Sequence, residues 1–465
     1  MNKFFEAVAN IFRVPDLRNR VLFTLAMLAV YRFGAHVPVP GIDGAKLESI
    51  FEQNADTLFG LFDMFSGGMF RRLTVFALGI MPYITASIIL QLMTVVVPAL
   101  EKLQKEGELG RRKITQWTRY LTVILAMFQS IGIATMLQNL GQGLVVHPGF
   151  GFVLLTMISL TTGTAFIMWL GEQISERGIG NGMSLIIFAG IVRGLPDAVV
   201  EMVTQLRTGN WSILHVLVIL LVMLAVVAFI VLVERGERRI PVQYAKRVVG
   251  RRMVGGQSTH LPLKVNAGGV IPVIFASSLL AIPVSFLQFE WVRNNAWLRG
   301  MLESIGHSMP LYFLLYTALI IFFCFFYISI IFNPNEAADN MRKYGGFIPG
   351  IRPGRSTADY MNKILTRITM VGGLYLAILS LIPEIMIGGI KLQRLPLVGN
   401  FIDSTFPRFL LDGLGVSFYF GGTSLLIVVG VAMDLVNQIE AQLIMRHYDG
   451  FTPRAGRIRG RRSGF

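Results

Sequence analysis

The sequence predicts an all-α polytopic membrane protein with ten transmembrane helices, and three observations support this prediction. Of the 465 residues, 53% are hydrophobic and only 15% are charged, whereas soluble globular proteins carry roughly 25% charged residues. The mean hydropathy is +0.60. Apolar runs of about 20 residues, the length that crosses a hydrocarbon core, recur along the chain. One soluble core could not bury so much apolar surface, so lipid is the expected solvent.

The predicted spans follow these apolar runs in chain order. They lie near 21–37, 74–98, 117–138, 152–171, 183–205, 212–233, 268–288, 310–332, 368–388 and 415–436. Three are interrupted: Arg32 lies in the first, Arg193 in the fifth, and two glycines and two prolines in the seventh. Because neighbouring helices and water can satisfy the backbone groups that Gly and Pro leave free, we retain all ten.

Charge separates the segments between the spans into two sets. Lys and Arg strongly outnumber Asp and Glu in both tails and in the loops near 100–119, 172–181, 234–264 and 333–367. Acidic residues slightly outnumber basic ones in the loops near 36–72, 139–150, 192–211, 289–309 and 384–412. Since cytoplasmic loops accumulate Lys and Arg, we expect both termini in the cytoplasm, which requires an even number of spans. Basic residues as far as Arg20 argue against a cleavable signal peptide.

The sequence shows no pattern of catalytic or metal-binding residues. It contains no phosphate loop, no His-Glu-x-x-His and no Gly-x-Ser-x-Gly. Its six histidines do not pair at ligand spacing. The single cysteine, Cys324, lies in an apolar run and can form no internal disulfide. We therefore expect no enzymatic activity, no cofactor and no metal site.

Composition also allows a secondary transporter for a small solute. Ionisable residues inside the membrane usually mark ion or substrate paths. Here the candidates Glu172, Glu234 and Asp434 lie at the cytoplasmic ends of predicted spans, where water or a neighbouring base can satisfy them. The missing midplane carboxylates and the large basic loops argue against a transporter, and a membrane-embedded enzyme lacks a catalytic set.

Two cytoplasmic loops are larger and more basic than topology requires. Their notable cations are Arg238, Arg239, Lys246 and Arg247 in the first loop, and Arg352 and Arg355 in the second. Each loop mixes basic with aromatic and branched apolar residues, which indicates a docking surface for a cytoplasmic partner, including a partner that contains RNA. The alternative is a pair of solvated loops that only set topology. Pro and Gly around Arg352 predict a turn that holds it outward.

Isoleucines recur near glycine in four predicted spans. They are Ile80 and Ile84 in the second span, Ile187 and Ile191 in the fifth, Ile274 in the seventh and Ile427 in the tenth. Residues four apart share a helix face. Ordinary helix packing also explains this pattern, because periodicity cannot show that four helices meet around one axis.

Residues 57–72 form an unusual segment before the second span. They are too short and too rich in glycine to cross the membrane, yet too apolar for a free loop. Irregular backbone at membrane depth persists only inside protein or beside a water-filled cavity. We expect a re-entrant element here, with an interfacial helix as the alternative.

Six long motifs resemble those of the SecY family, the central subunits of bacterial protein translocases. They occur in family order at 33–41, 76–91, 172–182, 239–245, 347–354 and 418–424. They include Gly-Ile-Met-Pro-Tyr-Ile at 79–84 and Phe-Ile-Pro-Gly-Ile-Arg-Pro-Gly at 347–354. The resemblance covers nearly the whole chain. The Arg-rich ending is unlike that of the family, so the tail 441–465 is assigned no role.

The resemblance implies two inverted five-helix halves, at 1–207 and 208–440, that form a clamshell around an hourglass pore. The constriction would be a ring made of Ile80, Ile84, Ile187, Ile191, Ile274 and Ile427. The outer funnel would be closed by a plug containing Phe62, Met64, Phe65, Ser66, Gly67, Gly68, Met69 and Phe70. The second and seventh spans would form a lateral gate that releases signal sequences into lipid.

The resemblance further implies a passive channel in the bacterial cytoplasmic membrane that conducts unfolded secretory polypeptides. Energy would come from the SecA motor ATPase or from the ribosome, which would dock on Arg352 and the neighbouring basic loops. The expected companion subunits are SecE and SecG, and the expected ligands are signal peptides, nascent chains and membrane lipid.

Overall fold

The computed structural model describes most of the chain, and the described part is mainly helical. The described residues are 14–53, 67–139, 143–209, 211–244, 247–249, 252–254, 258–288, 292, 294–306, 309–388 and 422–449.

Fourteen helices with named bounds occur among the described residues. They are α1 (Pro15–Gly34), α2 (Gly44–Gln53), α3 (Met81–Val96), α4 (Pro98–Lys105), α5 (Glu108–Asn139), α6 (Phe150–Arg177), α7 (Gly182–Arg207), α8 (Ile213–Glu234), α9 (Ile271–Ser285), α10 (Ala296–Ser304), α11 (Pro310–Ile331), α12 (Pro334–Lys343), α13 (Arg355–Gly388) and α14 (Gly422–Asp449). A short 3₁₀ helix, Phe286–Gln288, follows α9. The strands are β1 (Glu237–Tyr244), β2 (Arg247–Val249), β3 (Arg252–Val254), β4 (Ser258–Lys264) and β5 (Gly346–Phe347).

The apolar helices confirm a multi-pass membrane protein. In the described part of the chain, seven helices are long and apolar enough to span a bilayer: α5, α6, α7, α8, α11, α13 and α14. The pair α3 and α4, bent by 99°, makes an eighth if it is one span. Two predicted spans fall outside this group, because α1 includes Arg18 and Arg20 and α9 is only 15 residues long. The count of ten spans stays a prediction.

The second predicted span, 74–98, is wrong as a continuous helix. Residues 74–80 form turns, and α3 begins only at Met81. Pro82 lies in the first turn of α3, where the missing N–H costs no helical bond. Gly79 has φ +58°, which also stops helical backbone from extending upstream. The chain therefore reaches α3 through a non-helical segment, 67–80.

This non-helical segment is buried in protein. Met69, Phe70 and Leu73 are each at most 3% exposed. Its backbone pairs with the chain after α1: the Val39 amide donates to the Leu73 carbonyl at 2.9 Å. Because its polar backbone groups find partners inside the protein, irregular backbone can persist beside long apolar helices.

Small residues let the helices of the N-terminal part approach closely. On α6, a Cβ added at Gly163 would lie 1.9 Å from the carbonyl oxygen of Val75 in the non-helical segment. The Ser130 hydroxyl of α5 lies 3.4 Å from the Thr161 hydroxyl of α6, so these two helices meet at small residues. Small residues at contacts between membrane helices permit this close approach.

Gly163→Val is expected to destabilise the protein, because the added carbons collide with backbone that cannot rotate away. Overpacking of this kind costs about 1–3 kcal/mol. Thermal unfolding of the purified protein in detergent measures the change. Gly151→Val is the matched control on the same helix, since no atom lies within 4 Å of its added Cβ. Equal melting temperatures for the two variants would contradict this account of α6 packing.

An antiparallel sheet in the order β4-β1-β5 joins the two large basic loops. Gln243 of β1 pairs with Phe347 of β5, so distant parts of the chain form one unit. Ile240 and Ile348 are buried between the sheet and α13. The all-α prediction missed these strands. Buried Ile240 and Val242 alternate with exposed neighbours in β1. Alternation of apolar and polar residues is a strand signal, which overall composition does not show.

Candidate functional site

The six isoleucines come from four helical elements. Ile80 caps the N-terminus of α3 and Ile84 lies in its first turn. The others are Ile187 and Ile191 in α7, Ile274 in α9 and Ile427 in α14. All are at most 9% exposed and belong to one contiguous apolar cluster. Burial in one cluster is common to a helix core and to a closed seal, so the sealing ring stays a prediction.

A cavity of about 640 Å³ adjoins this cluster. Ile84, Ile187 and Ile274 line it together with polar side chains from several helices. The polar lining residues are Tyr83, Ser87, Gln91, Thr115, Arg119, Glu172, Ser175, Glu176, Asn181, Ser184, Tyr327 and Gln438. Gln91 lies seven residues after Ile84 on α3, roughly 10 Å along the helix axis. The cavity wall therefore combines apolar side chains of the cluster with hydrogen-bonding groups.

Two carboxylates near this cavity, Glu172 and Glu234, have polar partners. The Arg119 Nε donates to the Glu172 Oε1 at 2.7 Å, which ties α5 to α6. The Asn266 Nδ2 donates to the Glu234 Oε1 at 2.6 Å. Asp434 lines a smaller neighbouring cavity of about 160 Å³ with Glu234 and Lys264. The described residues contain no cluster of His, Cys, Asp or Glu that fits a metal ion. The cavity walls thus offer scattered hydrogen-bonding groups.

Part of the predicted plug lies within the described residues. Phe62, Met64, Phe65 and Ser66 lie outside them. Gly67 and Gly68 have φ of +68° and +80°, which only glycine adopts readily.

Two plug residues that follow these glycines are buried. Met69 packs in the cluster of the six isoleucines, and Phe70 packs in a second apolar cluster with Leu47 and Leu160. The plug itself stays a prediction.

An ionic cluster beside this segment was not predicted from the sequence. Arg71 of the non-helical segment and Arg193 of α7 both contact Asp197 of α7. In the sequence, Arg193 stands out only as an interruption of its predicted span. The signal that identifies its partner is the spacing of four residues to Asp197, which places both on one helix face.

The predicted docking residues are exposed where the structure describes them. Arg238 and Arg239 lie on β1, and Arg239 pairs with Glu237 at 2.7 Å. Arg355 is exposed at the start of α13. Lys246 lies outside the described residues, and for Arg247 only the backbone, in β2, is described. The sheet brings the two basic loops together, which neither loop sequence shows.

Arg352 is held outward on a turn. Gly350 and Gly354 on either side have φ of +80° and +113°. The Thr357 Oγ1 donates to the Arg352 carbonyl at 3.0 Å and fixes the backbone. Ile348 is 3% exposed and anchors the same loop in the core beneath the sheet. The guanidinium therefore projects from a stiff base.

The two helices of the predicted lateral gate are neighbours. Helix α3 contacts α9, and both contribute side chains to the larger cavity. After α9, Phe286 makes an edge contact with Phe128 of α5, with ring centroids 6.0 Å apart. The gate as a route into lipid stays a prediction.

Solved structures of known proteins have a similar fold. A solved SecY structure, in which the plug domain stabilises the closed state of the translocation channel, matches with a TM-score of 0.64, 18% identity and 94% coverage of both chains. The channel of the canine ribosome–channel complex from the endoplasmic reticulum matches with a TM-score of 0.59, 16% identity and 94% coverage of both chains. The chain therefore has the fold of the membrane channels that conduct protein.

The family follows from sequence. Residues 74–436 match the SecY family model. The protein translocase subunit SecY of Escherichia coli is 50% identical over 445 residues, which cover 95% of each chain. The chain belongs to the SecY family.

Proposed function

We propose that this chain is the pore subunit of a bacterial protein translocase. It passes unfolded secretory polypeptides across the cytoplasmic membrane and releases hydrophobic segments sideways into the bilayer. The observation that carries the proposal is the convergence of six isoleucines from four helical elements in one apolar cluster, where three of the six line a cavity together with polar side chains.

In this proposal the chain forms ten spans in two inverted halves, 1–207 and 208–440, with both termini and the tail 441–465 in the cytoplasm. The excess of Lys and Arg in alternate loops supports this orientation. Inverted repeats place a central path at the interface between two halves of a membrane protein. The clamshell and the hourglass pore follow from that arrangement.

The six isoleucines form the seal of the resting channel. A narrow ring of branched apolar side chains excludes water and so blocks ions. The same ring accepts a translocating chain of any sequence, because it offers no specific hydrogen bonds that would favour one residue type. The plug, at 57–72, covers the ring from the outer side. The channel is passive, and its energy comes from a partner.

Separation of α3 and α9 opens the path to lipid. An apolar signal segment that enters the gap gains about 25 cal/mol for each Å² of apolar surface it buries. This favourable transfer drives lateral exit. The polar lining of the cavity keeps hydrophilic segments in the aqueous path.

The basic sheet and the Arg352 turn form the docking surface for the SecA motor or for the ribosome. Exposed Arg238, Arg239 and Arg355 give this surface a positive field that attracts acidic protein or RNA. SecE and SecG complete the complex. The ribosome–channel complex with the same fold supports a ribosomal partner.

Crosslinking to a stalled polypeptide tests the proposal. Cys324 is the sole cysteine, so Cys324→Ala gives a cysteine-free background. Single cysteines at the six isoleucine positions are expected to crosslink to a stalled secretory chain. Leu224, 74% exposed on α8, and Leu160, fully buried in the second cluster, are control positions that should not react with it. Crosslinks from the six positions only to lipid or to neighbouring helices would refute the pore.

A further inference from the structure

We infer that Arg71, Arg193 and Asp197 form a clamp that positions the non-helical segment 67–80 against α7 and thereby holds the isoleucine seal closed. The inference rests on the proposed function, because the seal is what the clamp positions. It assigns a role to three charged residues that lie outside the isoleucine ring and outside the basic docking surface.

The segment and α7 meet in a regular series of contacts. A Cβ added at Gly67 would lie 2.8 Å from the Cα of Gly190, so the two backbones touch. A Cβ added at Gly68 would lie 1.9 Å from the Nη1 of Arg193, so this guanidinium covers the second glycine. Successive residues of the segment thus contact successive turns of α7, Gly67 at Gly190 and Gly68 at Arg193. Side chains at 67 or 68 would push the two elements apart.

The charged groups continue this series. The Arg71 Nη2 lies 3.3 Å from the Oδ2 of Asp197, and the Arg193 Nη1 lies 3.5 Å from the same oxygen. The two arginine side chains are only 22% and 19% exposed, whereas Asp197 is 44% exposed. Because each pair has one partly buried partner, salt screens it less than a pair of surface charges. A single carboxylate holds two guanidinium groups together. Without its charge, two like charges would face each other across the contact.

The clamp joins the two parts of the chain that carry four of the six isoleucines. The segment ends at Ile80, which caps α3, and Ile84 follows one turn later. On α7, Ile187 and Ile191 flank Gly190, where the segment makes contact. Any shift of the segment away from α7 therefore changes the spacing of these isoleucines. Packed contacts of this kind convert a small local shift into a larger rearrangement, here a change in the isoleucine seal.

Asp197→Asn tests the clamp, since it removes the charge and keeps the side-chain shape. In proteoliposomes we expect a rise in ion leak, and in cells a roughly tenfold rise in export of a precursor with a defective signal, a size ordinary for coupling between conformational states. Export of a precursor with an intact signal should persist, which shows that the channel assembles. The double variant Arg71→Asp with Asp197→Arg restores opposite charges and should return both readouts towards the parent.

Glu48→Gln is the matched control. Glu48 pairs with Arg72 at 3.5 Å close to the clamp, but both of these side chains are more than a third exposed, whereas Arg71 and Arg193 are partly buried. Pairs with both partners exposed contribute little. This variant should leave leak and signal selectivity unchanged. If Glu48→Gln and Asp197→Asn have equal effects, or if the charge-reversed pair fails to rescue, the clamp is refuted.

Ile427→Asn in the same assays separates failure of the clamp from failure of the proposed seal. A leak with Ile427→Asn and none with Asp197→Asn overturns the clamp alone. No leak with either variant overturns the seal and the clamp together.

Discussion

Arg352→Glu is expected to abolish motor-driven transport while the channel still assembles in the membrane. The side chain is exposed on a turn fixed by the Thr357 hydrogen bond and by the buried Ile348. Reversal of its charge therefore leaves the fold intact but repels an acidic partner surface. Loss of a central arginine at an interface costs about 2–4 kcal/mol, or roughly 30-fold to 1000-fold in affinity.

Import of a precursor into inverted membrane vesicles, with the motor ATPase and ATP, measures this effect. Lys363→Glu is the control, because Lys363 is an exposed cation on α13. This substitution makes the same change in charge away from the Arg352 turn. The control should import normally. Normal ATP-dependent import by Arg352→Glu would remove Arg352 from the docking surface.

Ile427→Asn is expected to open the resting channel to ions and to admit precursors with defective signals. Ile427 is 1% exposed in the cluster of the six isoleucines. A buried amide without a hydrogen-bond partner costs about 1–3 kcal/mol. Only the closed state pays this penalty, because the amide meets water when the ring opens. The equilibrium therefore shifts towards the open channel.

Conductance across planar bilayers and export of a signal-defective precursor measure the shift. Ile427→Leu should keep the seal, because a swap that conserves volume disturbs packing little. Leu426→Asn is the second control: Leu426 is fully buried next to Ile427 but is not a ring residue. It should lower stability without a matching leak. Unchanged conductance with Ile427→Asn would exclude this residue from the ring.

Local sequence was sufficient for most of the apolar helices and for the turn at Arg352. Hydropathy and turn chemistry are properties of neighbouring residues, so α5, α6, α8 and α11 contain their predicted spans to within a residue or two. The long motifs added the family, which the comparisons confirm. Periodicity alone did not distinguish a ring of isoleucines from ordinary helix packing.

Other features depend on contacts between distant parts of the chain. The break before α3 persists because the Val75 amide donates to the Val37 carbonyl after α1 and the Val75 backbone lies close to Gly163 of α6. The basic loops became one sheet through the pairing of Gln243 with Phe347.

The clamp depends on Arg71 reaching Asp197, 126 positions away in the sequence. Membrane insertion and helix formation follow from local composition, since each apolar run is stable in lipid on its own. The isoleucine cluster, the sheet of the basic loops and the ion pairs of Asp197 arise only where folding brings separate segments within contact distance. No local sequence pattern determines which distant segments meet.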